Sequence, residues 1–343
     1  MNILFDIGHP AHVHYFKFVI RALQKEGHHI YITARERYPV FELLEAYGLK
    51  YFNRGKGANS KIGKILNIFI IDYKLFRFAK KNKINLMVGF GSFYISHVAK
   101  FLGIPSIILD DTDNATFGQF LYRPFATKIL SPESFSKDFG KKHKKFRSFM
   151  ELSYLHPDYF SASPEFRKDI KLESDEKYTL IRFVSWNAHH DIGHKGITVE
   201  NKINAVHRFS KYGKVFITSE GELPNELKKY EIKIEPHKMH DVIAGASLLF
   251  GESATMASEA AMLGVPAIFI DDDGRSYTNE LQKRYGIVWN FTESVRDQQL
   301  AVEMGCSILS GKENSFTNTS SRIFSENINV TEYILNEIKE SLK

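Results

Sequence analysis

The chain has 343 residues, of which 43% are apolar and 25% are charged, a composition typical of a globular protein large enough for two domains. Its one cysteine, Cys306, excludes an intramolecular disulfide and is typical of a reducing compartment. No apolar run approaches the ~20 residues that span a bilayer, and the N-terminus lacks a signal-peptide pattern. We therefore expect a cytoplasmic protein.

Charge is divided unevenly along the chain. The net charge is +6, but residues 1–150 carry 24 Lys and Arg against 11 Asp and Glu, whereas residues 151–343 carry 22 against 29. An uneven division predicts that the two halves meet different partners. A basic half suits nucleic acid, anionic lipid or a phosphorylated substrate. No nucleic-acid-binding motif is present, so we expect no nucleic-acid partner.

Apolar strands and amphipathic helices alternate along both halves, and this alternation predicts parallel sheets with helices on both faces. The strands predicted in the first half are 2–7, 28–35, 49–53, 85–90, 105–111 and 127–132, and the helices are 12–27, 39–48 and 92–103. After a polar stretch the pattern restarts, with predicted strands 178–186, 214–219, 230–236, 247–252 and 266–272, and helices 202–213, 239–246, 256–264 and 330–343.

Two successive sheets of this kind predict an α/β chain with two Rossmann-like domains that face each other across a cleft. We place the first, basic domain at 1–150 and the second at 151–325. The C-terminal helix, within 326–343, is expected to pack back on the first domain. Ligands of such sheets bind beyond the carboxyl ends of the strands, so the motifs at those positions matter most.

The stretch GHPAHVHYF, which begins at Gly8, places His9, His12 and His14 after the first strand. Histidine titrates near pH 6.5 and is the usual general base at neutral pH, so these residues are candidate catalytic groups. A metal site is weakly indicated because no carboxylate or thiolate lies in the motif. The remaining alternative is that some of them only satisfy backbone groups in the turn.

The stretch FGESATMASEAAMLGVPAIFIDD (250–272) predicts a strand, a turn of small residues and a helix. Ser253, Ala254 and Thr255 would let backbone N–H groups approach a phosphate, whose charge the helix N-terminus favours. Glu259 follows one to two turns later, where a carboxylate can accept both ribose hydroxyls of a nucleotide. The alternative is that Ser253 or Thr255 simply caps the helix.

The stretch RFVSWNAHHDIGHKG (182–196) follows the first strand of the second domain. A loop of donors at the phosphates of a ligand is one interpretation. A metal site at His190, Asp191 and His194 is the other, although no HExxH pattern is present. The candidate donors are Arg182, Ser185, Asn187 and His190.

Two further stretches in the first half are candidates for binding. Gly91 and Ser92 end one predicted strand, and Asp111 and Asn114 follow the next. These polar groups are expected to hold hydroxyls of a sugar-like acceptor, or Asp111 caps a turn. The segment 54–83 interleaves lysine and arginine with large apolar residues, which indicates either a membrane-interface patch or an amphipathic core helix with solvated lysines.

Several of these stretches resemble known protein families. GSFYISHVAKFLGIPSIILDDTDNA together with GESATMASEAAMLGVPAIFI resembles the two-domain GT-B glycosyltransferases, in particular the MurG type that makes lipid II, and UDP-N-acetylglucosamine 2-epimerases share the second stretch. DIGHPAHVHYFK with RFVSWNAHHDIGHKG is similar to the domain-of-unknown-function 354 family. The resemblance covers nearly the whole chain and implies the GT-B architecture.

Carried over by position, the resemblance implies roles for several residues. His12 matches the suggested base, with His9 or His14 as substitutes. Ser253 to Thr255 match the turn that holds the pyrophosphate, and Glu259 matches the ribose ligand. Arg182 and the loop after it take the place of a loop at the donor phosphates, and Arg275 and Asn279 resemble residues that touch the donor sugar. Pro10 and Ala11 stand where these relatives have glycines.

We expect a glycosyltransferase that moves a sugar from a nucleotide-sugar, a UDP-sugar before other donors, to a glycan or polyprenyl-linked acceptor in surface polysaccharide synthesis. No Asp-x-Asp motif is present, so we expect no metal and no other cofactor. The basic first half suits a lipid-linked acceptor at the inner face of the membrane. The alternatives are a UDP-sugar 2-epimerase and a non-catalytic nucleotide-sugar-binding protein.

Overall fold

The structure, a computed structural model, describes residues 1–57, 61–184, 195–316 and 318–343. The chain forms two compact units, which we call unit 1 (1–159 with 327–343) and unit 2 (160–326). Each contains one sheet whose strands are all parallel, with helices between them, so the predicted α/β class is confirmed.

Unit 1 contains a seven-stranded sheet in the order β3-β2-β1-β4-β5-β6-β7. Every neighbouring pair is parallel. The chain extends the sheet from β1 in both directions, which makes β1 and β4 the point where the strand order reverses. The strands are β1 Asn2–Ile7, β2 His29–Arg35, β3 Phe52–Gly55, β4 Leu86–Phe90, β5 Ser106–Leu109, β6 Lys128–Pro132 and β7 His143–Phe146.

The helices of unit 1 follow the predicted apolar periodicity. α1 begins with a proline in its first turn and buries one face, and α4 ends at Gly103, whose φ of 70° is the left-handed conformation that glycine adopts without strain. The helices are α1 Pro10–Lys25, α2 Val40–Ala46, α3 Lys61–Lys81, α4 Phe93–Leu102 and α5 Thr116–Tyr122.

The C-terminal helix α13 (Val330–Ser341) belongs to unit 1, where it packs on α1. Its Glu337 lies 2.5 Å from Lys128 Nζ and 3.1 Å from Lys144 Nζ. Unit 1 extends to residue 159 rather than 150 because the turn Met150–Ser153 packs on α1 and α13, and Tyr154 and Tyr159 stack on side chains of α1. β7 was not predicted, since its sequence HKKF offers a single apolar side chain at the edge of the sheet.

Unit 2 contains a five-stranded sheet in the order β12-β11-β10-β8-β9, again with parallel pairs only. The strands are β8 Tyr178–Phe183, β9 Lys214–Ser219, β10 Leu248–Gly251, β11 Ala267–Ile270 and β12 Val288–Phe291. The helices are α6 Phe166–Asp169, α7 Val199–Phe209, α8 Met239–Ala244, α9 Ala254–Met262, α10 Ser276–Glu280, α11 Val295–Leu309 and α12 Thr319–Glu326.

The strand predicted at 230–236 is wrong. Only Glu231 pairs, as an isolated bridge to Ile217, and Asn225–Tyr230 forms a 3-10 turn. The alternation of Ile and charged residues there is short, and Pro236, which lacks an N–H group, begins a second 3-10 turn. The strand order reverses at β8 and β10, where Gly251 has a φ of 152° and any Cβ would clash with the Arg182 carbonyl.

Candidate functional site

In unit 2, α9 begins directly beyond the carboxyl end of β10. Ser253 is its N-cap, and its hydroxyl accepts a hydrogen bond from the Met256 N–H at 3.4 Å, so the capping alternative is confirmed for Ser253. Ser253 and Thr255 are partly exposed, whereas Ala254 is buried. The other two first-turn N–H groups, those of Ala254 and Thr255, have no partner among the described residues and point out of the end of the helix, which suits an anion.

Glu259 lies on the buried side of α9, where His240 of α8 fixes its carboxylate. The distance from His240 Nε2 to Glu259 Oε1 is 2.9 Å. Both residues are buried, with 3% of His240 and 5% of Glu259 exposed. The Phe160 ring meets the imidazole edge-on, at 6.1 Å between ring centroids. A buried carboxylate with one oxygen bonded to an imidazole has a defined orientation, which is what recognition of a ribose would require.

Two buried carboxylates accept from backbone N–H groups of the described residues on either side of 185–194. Glu252 accepts hydrogen bonds from the Val184 N–H (2.9 Å) and the Ile197 N–H (2.6 Å), one on each oxygen. Glu293 accepts from the N–H groups of residues 195 and 196, at 2.6 and 2.9 Å. The predicted donors Ser185, Asn187 and His190 lie outside the described residues.

The remaining predicted donors of unit 2 are dispersed along its strand ends. Arg182 forms an ion pair with Glu220, at 2.5 Å between Nη2 and Oε1. Arg275 precedes α10 beyond β11, with its guanidinium 3.8 Å from the buried Asp271 carboxylate. Asn279 is exposed on the same helix. Both cations therefore have a carboxylate beside them.

In unit 1, His12 lies in the first turn of α1, where its Nδ1 accepts a hydrogen bond from the Gly8 N–H at 3.2 Å. An N–H group can only donate, so the neutral ring carries its proton on Nε2 and offers a donor there. Burial, followed by His9, Arg54 and Arg37, lowers the pKa of His12 well below its usual value. In this geometry the neutral His12 ring presents a donor at Nε2, whereas the predicted role as a base would need an acceptor there.

His9 is the N-cap of α1, and its Nδ1 accepts from the Ala11 N–H at 3.3 Å. Burial, Arg37 and Arg35 lower its pKa to about 3. The expectation that some histidines satisfy backbone groups in the turn is thus confirmed for His9 and His12. Their ring centroids are 5.8 Å apart.

His14 is not brought together with the other two histidines. It is buried against the ring of Tyr154, stacked at 5.3 Å between centroids, and its Nδ1 lies 3.4 Å from the Tyr47 hydroxyl. The helical turn explains the separation, because residues two positions apart point to different sides of a helix.

The predicted acceptor ligands at the ends of β4 and β5 mostly bond within the protein. Gly91 forms a left-handed turn with a φ of 55°, and the Ser92 hydroxyl donates to the buried Asp6 at 2.6 Å. Asp111 is buried and accepts from the Thr112 hydroxyl at 2.9 Å, whereas Asn114 is exposed.

The neighbouring carboxylate Asp110 is also buried and accepts hydrogen bonds from the hydroxyl of Tyr122, the side-chain amide of Gln119 and the backbone N–H of Thr112, at 2.6, 3.2 and 2.9 Å. Burial raises its pKa, against the opposing effect of these donors. Asp113 accepts from both the backbone N–H and the hydroxyl of Ser136. These two carboxylates are engaged in holding the loop.

A known protein family matches most of this chain. The model of the family described as protein of unknown function DUF354 matches residues 1–275. The chain belongs to the DUF354 family. It is also similar to an uncharacterised protein of Methanocaldococcus jannaschii, with 23% identity over 326 residues that cover 88% of this chain and 94% of the other.

Solved structures show that DUF354 shares the fold of GT-B glycosyltransferases and nucleotide-sugar epimerases. The UDP-GlcNAc 2-epimerase of Neisseria meningitidis bound to UDP-GlcNAc has a TM-score of 0.69, at 14% identity, covering 99% of this chain and 100% of that one. MurG of Acinetobacter baumannii has a TM-score of 0.63, at 15% identity, covering 99% of each chain.

Sequence patterns missed Glu252, Glu293 and His240 of this DUF354 protein as parts of the site. The sequence did contain an indication of Glu252, because a carboxylate directly after a buried strand is expected to be buried and to need hydrogen-bond donors. It contained none for Glu293 and His240, since their partners lie far along the chain. Among the described residues no group of three or more His, Cys, Asp or Glu side chains has the geometry of a metal site.

No helix in the described part of the chain is long and apolar enough to cross a membrane.

Proposed function

We propose that this DUF354 protein transfers a sugar from a nucleotide-sugar, a UDP-sugar before other donors, to a glycan or polyprenyl-linked acceptor in surface polysaccharide synthesis. The observation that carries the proposal is the start of α9. Here the N–H groups of Ala254 and Thr255, unpaired in the residues that the structure describes, lie at the point where the strand order of unit 2 reverses, with the oriented carboxylate of Glu259 on the same helix.

Unit 2 is the proposed donor side. The diphosphate would bind the first-turn N–H groups of α9, and Glu259, held by His240, would accept the ribose hydroxyls. Arg275 and Asn279 would contact the donor sugar. Arg182, oriented by Glu220, is the proposed cation for the charge on the departing diphosphate.

Unit 1 is the proposed acceptor side, and the transfer exchanges one bond at the anomeric carbon. The acceptor hydroxyl oxygen bonds to that carbon as its bond to the phosphate oxygen breaks, and the diphosphate leaves with the electron pair. The hydroxyl proton leaves with solvent or a base. Because Nδ1 of His12 accepts from Gly8, we propose that its Nε2–H holds the acceptor oxygen in place.

The UDP-sugar 2-epimerase alternative needs acid and base groups around the sugar. Two carboxylates beyond β5, those of Asp110 and Asp113, hold the loop by hydrogen bonds. This engagement favours transfer over epimerisation.

The test is transfer from a panel of UDP-sugars by His12→Ala, His12→Gln and Glu259→Ala variants. We expect large losses for both alanine variants, since each removes a group in contact with a substrate. Gln retains a donor near the Nε2 position, so His12→Gln should keep more activity than His12→Ala if His12 donates.

The exposed His207→Ala and Glu303→Ala serve as matched controls. Full activity in both His12→Ala and Glu259→Ala would exclude the assignment. Epimerised sugar formed without any acceptor would establish the epimerase alternative, and UDP-sugar binding without turnover across a wide acceptor screen would establish the binding protein.

We also propose peripheral membrane contact through α3. The helix buries Ile71 and Leu75 in the core, yet it exposes a second set of large apolar side chains between its lysines and arginines. An apolar surface with cationic neighbours suits an anionic bilayer. The exposed residues are Ile65, Leu66, Phe69, Ile70 and Tyr73.

A further inference from the structure

Three arginines lie together in unit 1 at the carboxyl ends of β2 and β3. Arg35 is the last residue of β2, Arg37 follows it, and Arg54 lies in β3. Burial lowers the pKa of Arg35, and the charges of Arg37 and Arg54 lower it further. Arg35 pairs with Gly55, the residue after Arg54, so these two arginines come from adjacent strand ends, and Arg37 lies two residues beyond Arg35.

Within the described residues, one carboxylate forms an ion pair with this cluster, at Arg54. Asp6, which is 1% exposed, lies 2.9 Å from the Nε of Arg54, and its oxygens also accept from the hydroxyls of Thr33 and Ser92. Glu36 lies between two of the arginines in sequence but pairs with Lys56, at 3.1 Å.

Arg35 and Arg37 accordingly have no ion-pair partner within the described part of the chain. The Nε of Arg35 is buried without a hydrogen-bond acceptor. An arginine donor left in this state is costly, and an anion would satisfy it.

The groups around the cluster are also donors. The start of the sixteen-residue helix α1 lies beside it, since the Arg54 Nη2 would be 3.5 Å from a Cβ placed on Gly8. His9 and His12 are both neutral, and each carries its proton on Nε2 because Nδ1 accepts from a backbone N–H.

We propose that Arg35, Arg37 and Arg54 with the start of α1 bind a phosphoryl group, so that the ligand of unit 1 is a phosphate or diphosphate ester. Guanidinium groups match phosphate oxygens in paired hydrogen bonds, and a helix N-terminus favours the same charge. The assignment of this ester as the acceptor rests on the proposed function; the binding of the phosphoryl group itself does not.

The test is calorimetric titration of the full-length protein with inorganic pyrophosphate, in the presence of saturating UDP to occupy unit 2. Arg35→Gln/Arg37→Gln should weaken pyrophosphate binding about tenfold for each arginine removed. The control is Arg21→Gln/Arg77→Gln, which removes two exposed arginines of the same unit and the same net charge. Its affinity should match that of the unmodified protein.

A second pair of variants leaves the net charge unchanged. A Cβ on Gly57 would clash with the Arg35 guanidinium, so Gly57→Ala should displace that group and weaken binding. Gly118→Ala is the matched control, because the space around that glycine is open. Equal affinity in Gly57→Ala, the double arginine variant and their controls, or no pyrophosphate binding at all, would overturn the proposal.

UDP binding is measured on the same variants to keep the two proposals separate. Arginine-dependent pyrophosphate binding without any use of a UDP-sugar would remove the proposed function alone. UDP-sugar turnover that is indifferent to Arg35 and Arg37, while pyrophosphate binding still depends on them, would remove the assignment of the ester as the acceptor.

The source of the phosphoryl group is distinguished by competition against bound pyrophosphate. Two competitors are used. One is polyprenyl phosphate in neutral phosphatidylcholine vesicles, and the other is soluble glucose 1-phosphate. Competition by the first alone indicates a lipid-linked ligand, competition by the second indicates a soluble ester, and competition by neither overturns the assignment of an ester.

Discussion

His9 and His12 show how a residue's neighbours decide its chemistry. Both occur in a motif that suggests proton transfer, yet both rings accept a backbone N–H on Nδ1 and lie among arginines that disfavour a second proton. A histidine whose pKa is lowered in this way remains neutral over the physiological range, so it serves as a hydrogen-bond donor.

This environment predicts a pH dependence of stability for His9. Its pKa is about 3 in the folded protein against about 6.5 unfolded, so the unfolded chain binds one more proton between those values. Stability should therefore fall as pH drops below 6.5, by at most about 1.4 kcal/mol per pH unit from this group. Asn at position 9 keeps an N-cap acceptor without titrating.

Urea unfolding of the unmodified protein and His9→Asn at pH 7, 6 and 5 measures the effect. The variant should lose less free energy of unfolding on acidification. Parallel pH profiles for the two proteins would contradict the prediction.

The pair formed by His240 and Glu259 leads to a second prediction at this scale. His240→Ala would remove the imidazole that bonds to the Glu259 carboxylate and helps to orient it, so UDP affinity should fall about tenfold. His240→Gln, which presents an amide donor from a similar position, should restore most of it. Calorimetry with UDP gives both values, with His237→Ala as the control. If His240→Ala and His240→Gln reduce UDP affinity equally, His240 contributes by packing and not by its hydrogen bond to Glu259.

At the scale of elements, α3 differs from an ordinary amphipathic helix because it has two apolar surfaces. One packs into the core of unit 1, and the other exposes Phe69 and Tyr73, which are 69% and 61% exposed. The neighbouring α4 is tied to it through His97, whose Nδ1 is 2.9 Å from Asp72 and whose Nε2 is 3.1 Å from the Leu121 carbonyl of α5. The three helices are thereby held together beneath the exposed side chains.

The exposed surface of α3 predicts binding to anionic vesicles. Phe69→Ser/Tyr73→Ser should reduce co-sedimentation with phosphatidylglycerol vesicles by about tenfold or more, since burying an aromatic side chain contributes roughly 1.5–3 kcal/mol. Val295→Ser/Leu300→Ser removes exposed apolar residues from unit 2 and should have no effect. Equal sedimentation of the two variants would contradict membrane contact through α3.

On the scale of the whole molecule, each unit repeats one arrangement: parallel strands, a reversal of strand order, and a helix that begins at the reversal. In unit 1 this helix is α1, surrounded by arginines; in unit 2 it is α9, accompanied by Glu252 and Glu259. The two edges differ in charge, in keeping with the uneven charge of the sequence.

Local sequence was sufficient for much of the fold. Buried strands such as β1 and β10 are continuous apolar runs, and turns of glycine or small residues mark where α4 ends and α9 begins, so these elements follow from periodicity and capping. The edge strand β7 and the isolated bridge at Glu231 did not follow, because pairing at a sheet edge depends on the neighbouring strand more than on the residues themselves.

The amino-acid sequence by itself determined the fold class, the position of the candidate motifs at strand ends and the basic character of the first half. These depend on hydrophobic spacing and composition, which are local properties. Tertiary structure alone decided that His12 presents a donor, that His240 orients Glu259, that Glu252 and Glu293 accept from backbone N–H groups far along the chain, and that Asp6 pairs with Arg54. Each depends on which distant residues meet, and hydrogen bonds and charge act over a few ångströms in space rather than along the chain.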